Sequence, residues 1–225
     1  MSAARALPSW RQLVGIPLNV FFFLLLMVLA WGSWSGFVAS PARVGVIVVH
    51  LLMLPVMTFA TSGRSRGVGH APDWKPFFPL LVAHSLVTAM VMPYMDARDL
   101  WVLPGGEATR WVGLVALAVG AALRVGPMLA LGRRFVSVVA LQEDHALCTT
   151  GLYARVRHPS YLGILLMDLG FAGVFRSGLA LLVLPVVFWM FARRMDVEEA
   201  FMTDHFGEEY RAYAARTARL LPGVY

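Results

Sequence analysis

Four long apolar runs in the first 132 residues constrain this chain more than any other feature. Residues 13–36 carry no charged side chain, and a hydrocarbon core about 30 Å thick is crossed by about 20 helical residues. Arg5 and Arg11 precede this run and Val38-Ala39-Ser40 follows it, as in a secretory signal. The apolar region of a signal, however, is only about 7–15 residues long, so the run is expected to be a first transmembrane helix. Runs at 44–61, 77–95 and 111–132 supply a second, third and fourth. Turn-rich polar links, SGRSRGVGHAPDWK and DARDLWVLPGGEATR, separate the later ones.

Two shorter apolar runs follow, 161–175 and 177–192, joined by Arg176-Ser177-Gly178. At about 1.5 Å per residue each reaches about 22–24 Å, short of the core, which predicts a tilted or incompletely spanning hairpin. Beyond Arg193 the chain turns polar. FGEEYRAYAARTARLLP reads as a surface helix broken near Phe206-Gly207 and stopped before Pro222. The expected fold is all-α: a polytopic membrane bundle of five or six transmembrane helices, including the short hairpin, with a cytoplasmic C-terminal helix. Residues 1–110 form its N-terminal scaffold or substrate side, and residues 111–225 carry the polar motifs.

Composition agrees with a bilayer. Of the 225 residues, 59% are hydrophobic and 14% charged, with mean hydropathy +0.68, where soluble domains carry about 25% charged residues. A net charge of +6 and a pI near 10.1 would suit nucleic acid, but the cations are spaced between apolar runs instead of being clustered with aromatics on one face. No nucleic-acid partner is expected. One cysteine, Cys148, excludes an internal disulfide and a cysteine-rich metal site.

The cations also orient the chain. With a cytoplasmic N-terminus, that side carries Arg5, Arg11, Arg64, Arg66, Lys75, Arg133, Arg134, Arg155, Arg157, Arg193, Arg194, Arg211, Arg216 and Arg219, fourteen in all. The other side carries four: Arg43, Arg98, Arg110 and Arg176. The positive-inside tendency therefore puts both termini and the polar motif passage in the cytoplasm. Arginine outnumbers lysine so heavily, Lys75 being the single lysine, that a GC-rich bacterial genome and the bacterial inner membrane are expected.

The longest polar passage of the C-terminal half, QEDHALCTTGLYARVRHPSYLG at 142–163, concentrates His145, Tyr153, Arg155, Arg157, His158 and Tyr161 ahead of an apolar helix. Proline suits the first helical turn, so that helix is expected to start at Pro159 with His158 just outside it. The amides of Ser160, Tyr161 and Leu162 are then expected to point outward as an anion site at the end of the helix dipole. The same residues also fit an ordinary membrane-helix start with an interfacial tyrosine and a snorkelling arginine. Glu198-Glu199 suits an ammonium group or ribose hydroxyls, or else a solvated face, and the hairpin returns it to the side of the motif. Arg124 lies inside the fourth run, where a charge costs at least about 2.5–3.5 kcal/mol and marks a functional candidate. It also lies close enough to the end of its helix to snorkel. His50 and His84 have no ligand spacing and are expected to be satisfied bundle residues. No metal site is expected.

In order, LGRRF, Gln142, LCTTGLYARVRHPSYLG, a hydrophobic hairpin, R-R-x-x-x-E-E and FGEEYRAYAARTARLLP resemble the isoprenylcysteine carboxyl methyltransferase family and its phospholipid methyltransferase relatives. The resemblance covers roughly residues 120–222. It implies a membrane-embedded enzyme using S-adenosylmethionine. Cofactor contacts are implied at Gln142, His145, Ala146, Leu147, Cys148, Tyr153, His158, Pro159, Ser160, Tyr161 and Glu198. It also implies substrate-side roles for Arg194 and Arg124, the latter facing the reacting carboxylate. Ala146 and Cys148 stand where eukaryotic members carry Thr and Val, and Leu152 where many relatives have Pro.

The expected reaction is methyl transfer to a lipophilic or membrane-associated acceptor, by carboxyl O-methylation of an isoprenylcysteine-like substrate. Phospholipid N-methylation and small-thiol S-methylation are alternatives within the superfamily. For those acceptors a proton must leave, and His158 or Glu199 is the expected proton acceptor. An NADPH-dependent enzyme like the sterol reductases shares an R-H-P-x-Y-x-G-like passage but tends to have lysine and cysteine in place of Glu198-Glu199. A non-catalytic membrane protein is the remaining alternative.

Overall fold

The computed structural model describes residues 10–60, 69–70, 78–131, 140–141 and 147–225. Its helices are α1 (Trp10–Trp31), α2 (Trp34–Val38), α3 (Pro41–Ala60), α4 (Phe78–Leu86), α5 (Met92–Asp96), α6 (Gly106–Leu131), α7 (Pro159–Val174), α8 (Ala180–Phe206) and α9 (Glu208–Ala215). The pairing of Gly69–His70 with Ala140–Leu141 is the only strand ladder among the described residues. Among the described residues, three helices are long and apolar enough to cross a membrane: Gln12–Trp31, Pro41–Phe59 and Gly106–Leu129. Leu13, Phe21, Phe22 and Leu29 of α1 stay exposed, as a lipid-facing surface requires. The chain is an all-α integral membrane bundle.

Several boundaries differ from the expected ones for local reasons. The first run breaks at Gly32, whose φ of 98° no helix accepts, and Ser33 caps α2 by accepting from the Gly36 amide at 3.2 Å. A π-helical turn, Val87–Val91, joins α4 to α5 within the third run. The second arm of the hairpin does not stop at 192: α8 continues to Phe206, and Arg194 pairs with Glu198 one turn on at 3.0 Å. The expected break at Phe206-Gly207 is present, Gly207 having φ 54°. The terminal helix ends at Ala215, well before Pro222, because the next residues pair with the motif passage instead.

The α6 and α7 backbones touch along a glycine seam. A Cβ on Gly120 would lie 2.6 Å from the Gly163 oxygen, one on Gly163 2.6 Å from the Arg124 nitrogen, and one on Gly170 2.5 Å from the Leu117 nitrogen. Between helices already in lipid, packing replaces the hydrophobic effect as the attraction, and small residues permit it. The seam is what brings Arg124 against the start of α7. Below it, Met27, Phe37, Leu117, Phe171 and Phe175 form the apolar core.

The bundle carries buried charge at the end away from the motif. Asp96, its side chain fully buried, receives Arg110 in a bidentate pair and Arg176 at 2.9 Å. Arg110 also bonds the Val174 carbonyl at 2.6 Å and Glu107 at 2.9 Å. Arg43 donates to the Phe37 and Gly36 carbonyls at 2.8 Å each and stacks on Trp31. In mid-bundle, His50 faces the Val46 carbonyl at 2.8 Å and lies among Phe23 and Phe171. His84 pairs with Asp168 at 3.0 Å. Both histidines are thus satisfied bundle residues, as expected.

Candidate functional site

At the other end, the first turn of α7 meets the long extension of α8. Proline at Pro159 starts α7 with His158 outside it, as the sequence predicts. Two of the three amides expected to be free are taken: Tyr161 and Leu162 both donate to the His158 carbonyl, at 3.1 and 3.2 Å. The tight turn at the cap uses those two and leaves the Ser160 amide, so recognition at this helix start rests mainly on side chains.

Those side chains form one connected cluster. Tyr161 Oη donates to Glu198 Oε1, and Arg194 Nε donates to both Tyr161 Oη and Glu198 Oε1, the latter at 3.0 Å. The His158 ring stacks on Tyr161 with centroids 5.5 Å apart and planes 17° from parallel. His158 Nε2 lies 3.0 Å from Glu199 Oε1, and Nδ1 lies 3.6 Å from Glu198 Oε2. Glu198 Oε2 therefore retains lone pairs for a ligand's donors.

Glu199 has a different environment. Its Oε1 also accepts from Arg157 Nε at 3.0 Å, and its Oε2 accepts from Arg219 at 2.8 and 3.1 Å. Burial pushes this carboxyl up, but the hydrogen bonds from His158, Arg219 and Arg157 outweigh it and hold it at about 2. A carboxylate held this low is a weak base near neutrality, which counts against Glu199 as the proton acceptor for an amine or thiol. Arg157 belongs to the motif passage by sequence, but its pairing with Glu199, and that of Arg219, is tertiary and has no signal in the sequence.

Arg124 enters from α6. Its Nη1 donates to Ser160 Oγ in the first turn of α7, so it is turned into the site instead of merely snorkelling. Tyr153 sits on a 3₁₀ turn, Gly151–Ala154, and its carbonyl accepts from Tyr213 Oη at 2.8 Å. Burial raises its phenol well above the ordinary value. Leu147 and Cys148 are half-buried, and Cys148 is a free thiol whose charge would be felt by Tyr153 and Tyr213. Gln142, His145 and Ala146 lie outside the described residues.

The structure thus brings together Arg124, Tyr153, His158, Ser160, Tyr161, Arg194 and Glu198, from three helices and a turn. No group of three or more metal-ligating side chains occurs among the described residues. The sequence reading missed Asp168, a carboxylate inside α7 whose Oδ2 is buried without a hydrogen-bond partner. Its position in an apolar helix was the available signal.

The family model "Isoprenylcysteine carboxyl methyltransferase (ICMT) family" matches residues 111–204. Protein-S-isoprenylcysteine O-methyltransferase A of Arabidopsis thaliana is 31% identical over 152 residues, 64% of this chain and 77% of that protein. Its B counterpart is 28% identical over 181 residues, 77% of this chain and 92% of that protein. A solved structure of the eukaryotic intramembrane Ras methyltransferase ICMT superposes with a TM-score of 0.64 at 20% identity, covering 95% of this chain and 77% of that one. At that identity the likeness speaks to the fold.

Proposed function

Because the chain belongs to the isoprenylcysteine carboxyl methyltransferase family and so is an integral membrane methyltransferase, we propose that it methylates the carboxylate of an isoprenylcysteine-like acceptor with S-adenosylmethionine as donor. One observation carries this reading. The first turn of α7 touches an intramembrane arginine through Ser160 and a carboxylate with spare acceptor capacity through Tyr161.

The side chains present fit the donor's chemistry. Glu198 Oε2 suits an ammonium or ribose hydroxyls, the aromatic faces of Tyr153 and the Leu147 side chain suit a flat base, and Ser160 and His158 supply donors for a carboxylate. Of these donors only Ser160 is free to face a ligand's carboxylate, since His158 Nε2 is committed to Glu199; Gln142, His145, Ala146, Cys148, His158 and Pro159 complete the set that the family resemblance assigns. When bound, S-adenosylmethionine supplies an electrophilic methyl group.

Arg124 neutralises and orients the acceptor's carboxylate, with Arg194 as the second cation on the acceptor side. A carboxylate has no proton to lose, so no general base is needed, and the protein's contribution is alignment. Glu199, held at about 2, is consistent with a reaction that needs no proton acceptor there. Residues 1–110 furnish the lipid-facing acceptor side and 111–225 the cofactor side. The fourteen cations on the motif side against four on the other support a cytoplasmic site in a bacterial inner membrane.

The test uses purified protein in lipid nanodiscs, methyl-labelled S-adenosylmethionine and a synthetic S-isoprenyl cysteine. The expected product carries label in a base-labile ester. Label in a base-stable N- or S-methyl product, or none, overturns the assignment.

A further inference from the structure

The segment after α9 returns across the motif passage. Val156 and Ala218 form a parallel bridge. Arg157 donates its amide to the Ala218 carbonyl at 2.8 Å, His158 to the Arg219 carbonyl at 3.0 Å, and Ala218 to the Arg155 carbonyl at 3.0 Å. The backbone that precedes α7 is thus held by a strap about sixty residues further along the chain. Arg157 adds its Nη1, bonded to the Ala214 carbonyl at 2.8 Å and to the Thr217 carbonyl.

Arg219 extends this hold to the side chains. Its guanidinium lies against Glu199 Oε2, 2.9 Å from Asp196 Oδ1 and 3.0 Å from Tyr225 Oη. With Oε2 taken, Glu199 presents Oε1 to His158 Nε2 at 3.0 Å. A carboxylate only accepts, so Nε2 carries the proton and donates it there. The ring is then fixed flat against Tyr161, with Nδ1 toward Glu198.

We propose that Arg219 is a positioning residue for donor binding: acting through Glu199, it sets the orientation of His158, and with it the Glu198 and Tyr161 face of the site. This rests on the reading that His158 and Glu198 contact S-adenosylmethionine. Lysine keeps the charge but not the two-pronged contact, so Arg219→Lys restores binding only in part.

The experiment measures equilibrium binding of labelled S-adenosylmethionine, melting temperature and steady-state kinetics for the full chain in nanodiscs. The variants are Arg219→Ala, Arg219→Lys, His158→Ala and the Arg219→Ala/His158→Ala double variant, with Arg211→Ala as control. Loss of a charge-assisted contact to a half-buried carboxylate predicts a donor Kd raised about tenfold in Arg219→Ala. Arg219→Lys is expected near threefold, and kcat at saturating donor is expected to stay within about twofold of wild type. The double variant is expected to bind no more weakly than His158→Ala alone, because both act on one ring.

A purely structural Arg219 would lower the melting temperature and add its loss to that of His158→Ala, and that additivity overturns the proposal. A wild-type Kd in Arg219→Ala overturns it as well. If Arg219→Ala does not fold, Arg219→Gln carries the same expectations. Binding that collapses in His158→Ala but not in Arg219→Ala sinks the positioning role alone. A wild-type chain that does not bind S-adenosylmethionine sinks the donor assignment together with it.

Discussion

The two ends of the bundle both concentrate charge, and they use it differently. At one end Asp96, Arg110, Arg176, Glu107 and Arg43 satisfy each other and nearby carbonyls. Arg176 is even held at φ 41°, a conformation a non-glycine residue keeps only where its surroundings over-determine it. At the other end, Arg124 donates to the Ser160 hydroxyl, and Glu198 Oε2 lies 3.6 Å from His158 Nδ1. Buried charge that is closed on itself acts as a lock on the fold. Buried charge with capacity left over is a place for a ligand.

The largest effect that would sharpen this contrast is at the lock. Removing one partner of a buried pair leaves the other uncompensated, so Asp96→Ala is expected to lose about 3–5 kcal/mol of stability. Donor affinity of the folded fraction should be unchanged, by denaturant titration and binding on the same preparation. A large change in donor affinity would erase the distinction between the ends.

Next comes Arg124→Ala. Removing a group that orients the reacting carboxylate is expected to lower turnover about a hundredfold or more, with the melting temperature and donor Kd close to wild type. Normal turnover would make Arg124 a snorkelling cation. At the seam, Gly163→Val places side-chain atoms where the Arg124 backbone nitrogen lies. It should separate α6 from α7 and cost about 1–3 kcal/mol together with turnover.

The pH response is smaller and has a definite sign. Glu199 is depressed from 4.5 to about 2. Its contribution is therefore complete above about 4.5 and is lost as pH falls toward 2. Glu199→Gln should be less stable than wild type at neutral pH, and its melting temperature should change less between pH 5 and pH 2.5. An identical acid profile would mean that its three partners do not stabilise the carboxylate. Smallest of all, Arg211→Ala at the exposed Arg211–Glu208 pair should stay within about 0.5 kcal/mol of wild type.

Much of this architecture was legible before the coordinates. The ends of α3 and α6 follow from the lengths of their apolar runs, while α6 starts at Gly106, within the expected polar link, and Pro159 and Gly207 announce their boundaries through backbone preference. The break at Gly32 was not legible because it lies within an uninterrupted apolar run. The π turn at Val87–Val91 has no residue-level signal. The motif end could be assembled because a short hairpin must return Glu198 to the side of His158. The lock could not: Arg43, Arg110 and Arg176 were counted one at a time as loop cations, and only the fold brings Asp96 between them. Of the amides expected to be free at the start of α7, those of Tyr161 and Leu162 are taken because the cap closes on the His158 carbonyl, a detail of backbone angles.

The central claim is that the motif end, through Glu198, binds S-adenosylmethionine. Equilibrium binding of the labelled donor to wild type and to Glu198→Ala, each confirmed folded by its melting temperature, tests it most directly. The account predicts saturable binding by wild type and a loss of about tenfold or more in Glu198→Ala. Equal affinity in the two proteins would contradict it.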